Sequence, residues 1–138
     1  MMSALKQQLL LHHNKIMVCL RLQALEVYTR IVKQFPGLAI TNYARIERAL
    51  MLYQVGNVSE SILELQDLEA SLRGLAEVHA ALASIIYAER PSEVSYAEQQ
   101  FDLASEFDSR YLDVKWVERE KHWPPAMLTA LNKFALLK

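Results

Sequence analysis

The scarcity and the placement of glycine and proline constrain the fold of this chain most. Its 138 residues contain three Gly and four Pro, whereas β-rich folds need many turns. Between these breaks, apolar residues recur at helical spacing, and Ala, Leu, Glu and Gln, all good helix formers, are frequent. Hydrophobic residues make up 52% of the chain, which is enough for a core. The sequence therefore predicts one all-α domain.

Seven helical segments are expected from the apolar periodicity and the breaks between them. The first is one helix, or two helices with a weakly marked break. Asn57 with Glu60 and Ser95 with Glu98 have the spacing of capping boxes and should begin the third and fifth segments. The seven predicted segments are 4–34, 41–55, 58–73, 75–89, 92–108 or 95–108, 109–121 and 125–137.

Charge is distributed unevenly and argues against a nucleic-acid partner. Residues 1–46 carry six basic and one acidic side chain, residues 47–108 carry three basic and twelve acidic, and residues 109–138 carry six basic and three acidic. Nucleic-acid binders normally present a broad basic face. Because the acidic middle of this chain would repel phosphate, we expect no nucleic-acid partner.

The single cysteine and the short apolar runs exclude two further classes of protein. One cysteine makes no internal disulfide and no thiolate metal cluster. Cys19 has the apolar neighbours Met17, Val18 and Leu20, which predicts that it is buried. No uninterrupted apolar run reaches the roughly 18 residues of a membrane span, so we expect none.

The first 25 residues contain no acid and carry Lys6, Lys15 and Arg21. A basic, acid-free start is typical of an organelle transit peptide. The dense apolar periodicity instead indicates an ordinary first helix. Both interpretations stay open on sequence alone.

A pattern of a small residue, a bulky residue four positions later and an apolar residue three positions after that occurs three times. The small residues of successive copies are 37 and then 36 positions apart, which is a helical-repeat spacing. The three copies are Ala24, Tyr28, Ile31; Ser61, Leu65, Leu68; and Ala97, Phe101, Ala104.

These copies resemble the tetratricopeptide repeat (TPR) family. "ALEVYTRIVKQFP" and "AEQQFDLASEFDS" are similar to the second helix of that repeat with its turn, and "RALMLYQVGNVSES" resembles the passage between its two helices. The resemblance implies an antiparallel helix-pair solenoid with C-terminal capping helices. Residues 1–23 would form a basic N-terminal helix or half repeat, 24–108 the repeats and 109–138 the capping helices. The period exceeds the usual ~34 residues, and the large aromatic early in each first helix is missing.

The tail "FDSRYLDVKWVEREKHWPPAMLTALNKFALL" resembles the tail of repeat proteins from cyanobacteria and plastids. This resemblance implies a photosynthetic source. The protein would then be soluble or peripheral to the thylakoid membrane; otherwise we expect it in the cytoplasm.

No pattern of catalytic or metal-binding residues emerges. His12 and His13 diverge by about 100° on a helix, and His79 stands alone on an Ala-rich segment. Glu118 and His122 would share a face, but two ligands do not make a metal site. The three glycines fall at helix ends rather than in a phosphate-binding loop. We therefore expect no enzyme activity, no metal and no cofactor.

By the TPR resemblance, the first helix of each pair would line a largely apolar groove that binds protein. Tyrosine suits such a surface because it offers contact area and a hydroxyl at low entropic cost. Alternatively, these tyrosines pack against the terminal helix. Some family members clamp a terminal carboxylate with Lys and Asn, and that set is absent here. The predicted groove residues are Tyr43, Ile46, Leu50, Tyr53, Glu77, Ala80, Ser84 and Tyr87.

Two other surfaces are candidates for binding. An acidic ridge is either a solvated face or the docking surface of a basic partner. Trp123 is either an exposed anchor, since Trp often dominates interfaces, or the residue that pins the terminal helix to the sixth segment, because the following proline fixes its direction. The acidic ridge comprises Glu60, Glu64 and Asp67 on the third segment and Glu98, Asp102 and Glu106 on the fifth.

The expected function is that of a non-enzymatic protein–protein interaction module. It would act as a scaffold or assembly factor whose partners are proteins, in the photosynthetic case the subunits of a membrane complex. The alternative is a permanent structural subunit of a large thylakoid assembly. An assembly factor would be sub-stoichiometric, whereas a subunit would copurify at a fixed ratio.

Overall fold

The computed structural model describes residues 3–137, and within that range the chain forms seven α-helices and no strand. The all-α prediction is confirmed. Two 3-10 turns, Pro91–Glu93 and Ser109–Leu112, precede α5 and α6, and a π-helix, Val117–Lys121, extends α6. The α-helices are α1 Ala4–Gln34, α2 Ala39–Gln54, α3 Val58–Ser71, α4 Ala76–Glu89, α5 Val94–Phe107, α6 Val114–Trp116 and α7 Pro125–Ala135.

Glycine ends the first three helices, as the sequence indicates. Gly37, Gly56 and Gly74 have φ angles of 85°, 95° and 92°, in the left-handed region that a residue without a Cβ adopts at little cost. The segment boundaries read from glycine and proline therefore lie within a few residues of the observed ones.

Both predicted capping boxes are absent. Asn57 does occupy the N-cap of α3, but its side chain makes no capping hydrogen bond. Ser95 is already the second residue of α5, because the turn Pro91–Glu93 leads directly into that helix and Glu93 takes the N-cap. The N-terminal ends of α3 and α5 depend on the backbone conformation just before each helix. The spacing of the capping-box residues in the sequence gives no information about that conformation.

Successive helices pair as antiparallel hairpins. In the hairpin of α2 and α3, the Ser61 hydroxyl donates to the carbonyl of Ala49 at 2.6 Å. In the hairpin of α4 and α5, Nδ1 of His79 lies 2.6 Å from Oε1 of Gln100. These polar pairs are buried and satisfied, so they fix the register of each hairpin without an uncompensated polar group.

Helix α4 lies at the centre of the core, and all its residues from 78 to 86 are buried. Its alanines let neighbouring backbones approach closely. On α5, Ala97 and Ala104 are fully buried on either side of Phe101, which is 2% exposed. The alternation of small and large residues therefore marks the face of α5 that packs against α4.

Helix α1 is a single helix of 31 residues without one buried residue, and it is about 46 Å long. Its second half packs against α2: Nε of Arg48 donates to Thr29 at 3.0 Å, and Arg21 and Leu22 line one depression together with Gln54 and Val55 at the end of α2. Residues 4–16 extend beyond α2 and are exposed. Cys19 is exposed as well; the prediction of burial is wrong because α2 covers a different face of α1.

Helix α7 closes the core over α4 and α2. Its apolar stripe is buried, and the Phe134 ring meets Phe101 at 4.5 Å and the edge of Tyr87 at 5.0 Å. His122, in the left-handed conformation at φ 54°, and the Pro124–Pro125 pair turn the chain into this helix. Among residues 3–137, no helix has both the length and the apolar character that crossing a membrane requires.

Candidate protein-binding cleft

The terminal helix divides the predicted groove into a covered half and an open half. Leu50, Ala80 and Ser84 are buried inside the protein and line neither of the two open depressions. Tyr87 packs edge-on against Phe134 of α7. The Tyr53 hydroxyl donates to Glu89 at 2.7 Å, and burial, followed by this hydrogen bond, raises the pKa of Tyr53. Tyr87 thus follows the alternative in which the tyrosines pack against the terminal helix, whereas the hydroxyl of Tyr53 is bonded to α4 instead.

The open half holds two adjoining depressions of about 230 and 270 Å³. We call them together the Tyr43 cleft, because Tyr43, Ile46 and Leu75 line both of them. The cleft runs from the first half of α2, over the turn between α3 and α4, to the end of α5. Of the eight predicted groove residues, it contains Tyr43, Ile46 and Glu77.

Two exposed aromatic rings give the Tyr43 cleft its apolar contact area. Tyr43 is 65% exposed on α2 and Phe107 is 52% exposed at the end of α5. Phe107 stacks on the buried ring of His79, with 5.8 Å between ring centroids. Gly74 lies below the Phe107 ring, and a Cβ built there would already be in contact with it at 3.7 Å. The Phe107 ring is thus held in place while one face stays accessible.

Charged side chains stand at both ends of the Tyr43 cleft. Arg73 lines the first depression, and Glu77, Asp108 and Lys121 line the second. Asp108 accepts hydrogen bonds from the Arg110 guanidinium at 2.8 and 2.9 Å, which holds the pKa of the Asp108 carboxyl below its ordinary value. The cleft is thus apolar in the middle and has charged side chains at its ends.

Glu77 connects the cleft to the terminal helix. Its carboxylate accepts a hydrogen bond from Nε1 of Trp123 at 3.0 Å and lies 3.9 Å from Nζ of Lys121. Trp123 is only 3% exposed, so it is not an exposed anchor. The other interpretation has Trp123 pin the terminal helix to the sixth segment. The Trp123 ring does lie 6.1 Å from the ring of Tyr111 in that segment, but its hydrogen bond to Glu77 ties it to α4 as well, a contact that the interpretation did not include.

Glu47 is an ionisable residue beside this site that the sequence reasoning did not single out. Burial, and next the nearby negative charge of Glu77, raise the pKa of Glu47 to about 7, while Lys121 acts in the opposite direction. Tyr111 lies beneath the same cluster, and its pKa is raised chiefly by burial and then by the charge of Glu77. Near neutral pH, the net charge of the group formed by Glu47, Glu77 and Lys121 therefore depends on pH.

The acidic ridge is not one continuous surface of free charge. On α3, Glu60 and Glu64 lie 3.1 and 2.9 Å from guanidinium nitrogens of Arg48 and Arg45, and Asp67 also pairs with Arg45. These three carboxylates tie α3 to α2. On α5, the ridge residues are exposed, and within residues 3–137 they make no ion pair: Glu98, Asp102 and Glu106.

Comparison with known proteins gives no match: no family model, no curated protein and no solved structure is significantly similar to the chain. Within residues 3–137, no group of three or more His, Cys, Asp or Glu side chains is arranged to hold a metal ion. The class of this protein is given by its helices alone: within residues 3–137 it is an all-α protein built from antiparallel helix hairpins.

Several residues of this region do not follow from the sequence pattern, among them Arg73, Leu75, Phe107 and Glu47. Leu75 and Arg73 flank Gly74 in a turn. A turn residue lines a cleft only if another helix lies opposite it, and the sequence does not show which helix does. Phe107 is the last residue of α5. Its position just after the buried residues of that helix is the sequence feature that indicates an exposed aromatic ring. Glu47 is an isolated acidic residue in the largely apolar helix α2. An isolated acid in such a helix is the sequence feature that indicates a partly buried ionisable group.

Proposed function

We propose that this protein is a non-enzymatic protein–protein interaction module, a scaffold or assembly factor, and that the Tyr43 cleft is its contact surface. The observation that carries this proposal is the pair of exposed rings, Tyr43 and Phe107, beside an apolar cleft that α7 leaves open. Aromatic residues at the centre of an apolar patch with a polar rim are typical of interface hot spots.

The helix hairpins support a TPR-like solenoid as the finer description of the fold. The pairs α2–α3 and α4–α5 are antiparallel, and α3 packs against α4. The small residues of the second and third copies, Ser61 and Ala97, are fully buried, whereas Ala24 of the first copy is half-buried. These features agree with the resemblance of the sequence to the TPR family. In such an arrangement, α2 and α4 would line one side of the array, where the Tyr43 cleft lies.

The size and chemistry of the cleft fit a short protein segment. Two depressions of about 230 and 270 Å³ accommodate a few apolar side chains rather than a folded surface. Arg73 at one end favours a segment that carries an acidic group beside its apolar centre. At the other end, Glu77 and Asp108 are already matched by Lys121 and Arg110. Because α7 closes the second half of the groove, the bound segment is short.

Quantitative affinity capture tests this function. The tagged wild-type chain is compared with Tyr43→Ala and Phe107→Ala, and with Leu63→Ala as the matched control, since Leu63 on α3 is also 65% exposed but lies outside the cleft. We expect the wild type and the control to retain the same partner proteins. Either cleft variant should retain at least tenfold less of them, which corresponds to a loss of about 1.4 kcal/mol in binding free energy. Equal retention by all four chains would contradict the role of the cleft.

A permanent structural subunit of a larger assembly, in a thylakoid setting if the resemblance of the tail holds, is the second candidate. The specific observation in its favour is α1, whose first half is exposed on every side although it is rich in leucine. Large exposed apolar surfaces mark sites of protein association. Stoichiometry separates the two functions: the captured complex contains this chain at a fixed ratio if it is a subunit and at a far lower amount if it is an assembly factor.

A further inference from the structure

A third depression, of about 240 Å³, adjoins the Tyr43 cleft at the Phe107 ring. It shares Phe107 and Gly74 with the second depression of the cleft, and it shares Arg73 with the first. Its remaining walls come from α3, α4 and α5, through Glu69, His79 and Leu103. The three depressions therefore surround the turn between α3 and α4, and the turn residue Arg73 lies between the first and the third.

Arg73 carries a positive charge that the fold does not use. The residue is exposed, and within residues 3–137 it makes no ion pair, not even with Glu69 in the same depression. The cations at the other end of the cleft, in contrast, already have acidic partners. The Arg73 guanidinium thus keeps its planar set of donors for a ligand, and a carboxylate matches that set with two parallel hydrogen bonds.

The first depression combines apolar walls with groups that bind a carboxylate. Among its described lining residues, Arg73 alone is charged, and Asn42 and Tyr43 add an amide and a hydroxyl. An apolar side chain in this depression therefore has a cation and further hydrogen-bond donors beside it, which favours an acidic residue next to the apolar one. The other lining residues are apolar: Ala39, Ile46, Leu72 and Leu75.

The position of Arg73 favours an acidic side chain inside a segment over the carboxylate of a chain terminus. A carboxylate bound to Arg73 has the first depression on one side and the third on the other. A segment that continues in both directions fills both depressions with apolar side chains, whereas a terminal carboxylate has chain on one side only. The pair of depressions therefore fits an internal acidic residue.

We propose that the Tyr43 cleft and the third depression together bind a short segment of a partner protein in which an acidic side chain stands between apolar side chains, and that Arg73 selects this segment by pairing with the carboxylate. The proposal rests on the function proposed for the Tyr43 cleft and adds the chemistry of its ligand. Arg73 sets the specificity, while the rings of Tyr43 and Phe107 supply apolar contact area.

Peptide display against the full chain tests this specificity. Random peptides are selected on the wild-type chain, and those that also bind Tyr43→Ala are discarded. We expect the remaining peptides to be enriched in Asp or Glu with apolar residues on both sides. Selection on Arg73→Glu should replace that acid by Lys or Arg. The matched control Arg30→Glu, which changes an arginine on α1 whose side chain is 60% exposed, should select the same acidic peptides as the wild type.

Fluorescence anisotropy with one selected, labelled peptide isolates the carboxylate. Replacing its internal glutamate by glutamine should weaken binding to the wild type about tenfold and should leave binding to Arg73→Gln unchanged. Added salt should weaken the glutamate peptide more than the glutamine peptide, because salt screens the charge pair. Amidation of the peptide's C-terminus should have no effect, since an internal side chain supplies the carboxylate.

The outcomes separate this proposal from the proposed function. Selected peptides that require Tyr43 but carry no acid, or that lose affinity only when their C-terminus is amidated, overturn the role of Arg73 and leave the function of the cleft standing. An acid that is enriched equally on Arg73→Glu also overturns it. If no peptide distinguishes the wild type from Tyr43→Ala, both the ligand chemistry and the function of the cleft are contradicted.

Discussion

Trp123 donates a hydrogen bond from its indole nitrogen to Glu77 at 3.0 Å, joining residues that are 46 positions apart in the chain. The bond holds the segment before α7 against the start of α4, and it places a carboxylate at the floor of the Tyr43 cleft. The packing of the terminal helix and the chemistry of the open cleft are therefore set by the same pair of side chains.

Removing the indole nitrogen should weaken the whole fold. Trp123→Phe leaves one oxygen of the largely buried Glu77 carboxylate without its donor, and we expect a loss of about 1–3 kcal/mol in the free energy of unfolding. Trp116→Phe, which alters the tryptophan under the Arg110 guanidinium, is the matched control and should cost less. Urea unfolding of the three chains gives the comparison, and an equal loss in both variants would argue against the Glu77 bond.

The small residues of α5 should be sensitive to size. Ala97 is fully buried, so Ala97→Leu adds three carbons where there is no space, and we expect a loss of about 1–3 kcal/mol from overpacking. Gln99→Leu introduces the same side chain at an exposed position of the same helix and should change stability by less than about 0.5 kcal/mol. Thermal unfolding distinguishes the two, and an unchanged Ala97→Leu protein would show that the crossing is loosely packed.

The ion pairs between α2 and α3 should stabilise the hairpin measurably. Arg45 and Glu64 are about four-fifths buried and 2.9 Å apart, so a double-mutant cycle with Arg45→Met and Glu64→Gln should give a coupling energy of about 1 kcal/mol. The pair Arg30 and Glu26 on α1, with side chains 60% and 71% exposed, is the comparison and should give about 0.3 kcal/mol. Equal coupling in both pairs would mean that burial of the first pair adds nothing.

Stability should depend on pH through Glu47. Its pKa is raised in the folded state to about 7 from an unfolded value of 4.5, so the folded protein binds this proton more tightly and loses stability as pH rises from about 4.5 to 7. Glu47→Gln should therefore be stabilising at pH 8, by about 1–2 kcal/mol because water screens part of the effect, and nearly neutral at pH 4. Glu98→Gln on α5 is the control, and the same pH-dependent gain in both variants would contradict the assignment to Glu47.

The sequence predicted most helices because glycine and proline mark their ends and apolar periodicity marks their faces. It did not predict the covered half of the groove, because the position of α7 depends on Trp123, Glu77 and the left-handed His122 acting together. Cys19 was misplaced for a related reason: α1 is apolar on several sides, and periodicity cannot say which side α2 covers. The acidic ridge follows from the periodicity of single helices, and that periodicity does not reveal Arg45 and Arg48 of α2, which pair with its first half.

Site-specific photocrosslinking tests the central claim, that the half of the groove left open by α7 binds a protein partner. A photoreactive phenylalanine analogue replaces Tyr43 in one chain and Leu63 in another, both positions being 65% exposed, and each chain is expressed and illuminated in the cells that encode it. The account predicts a discrete crosslinked product from position 43 that is lost when Phe107→Ala is added and that is missing from position 63. No product from position 43, or the same products from both positions, would contradict it.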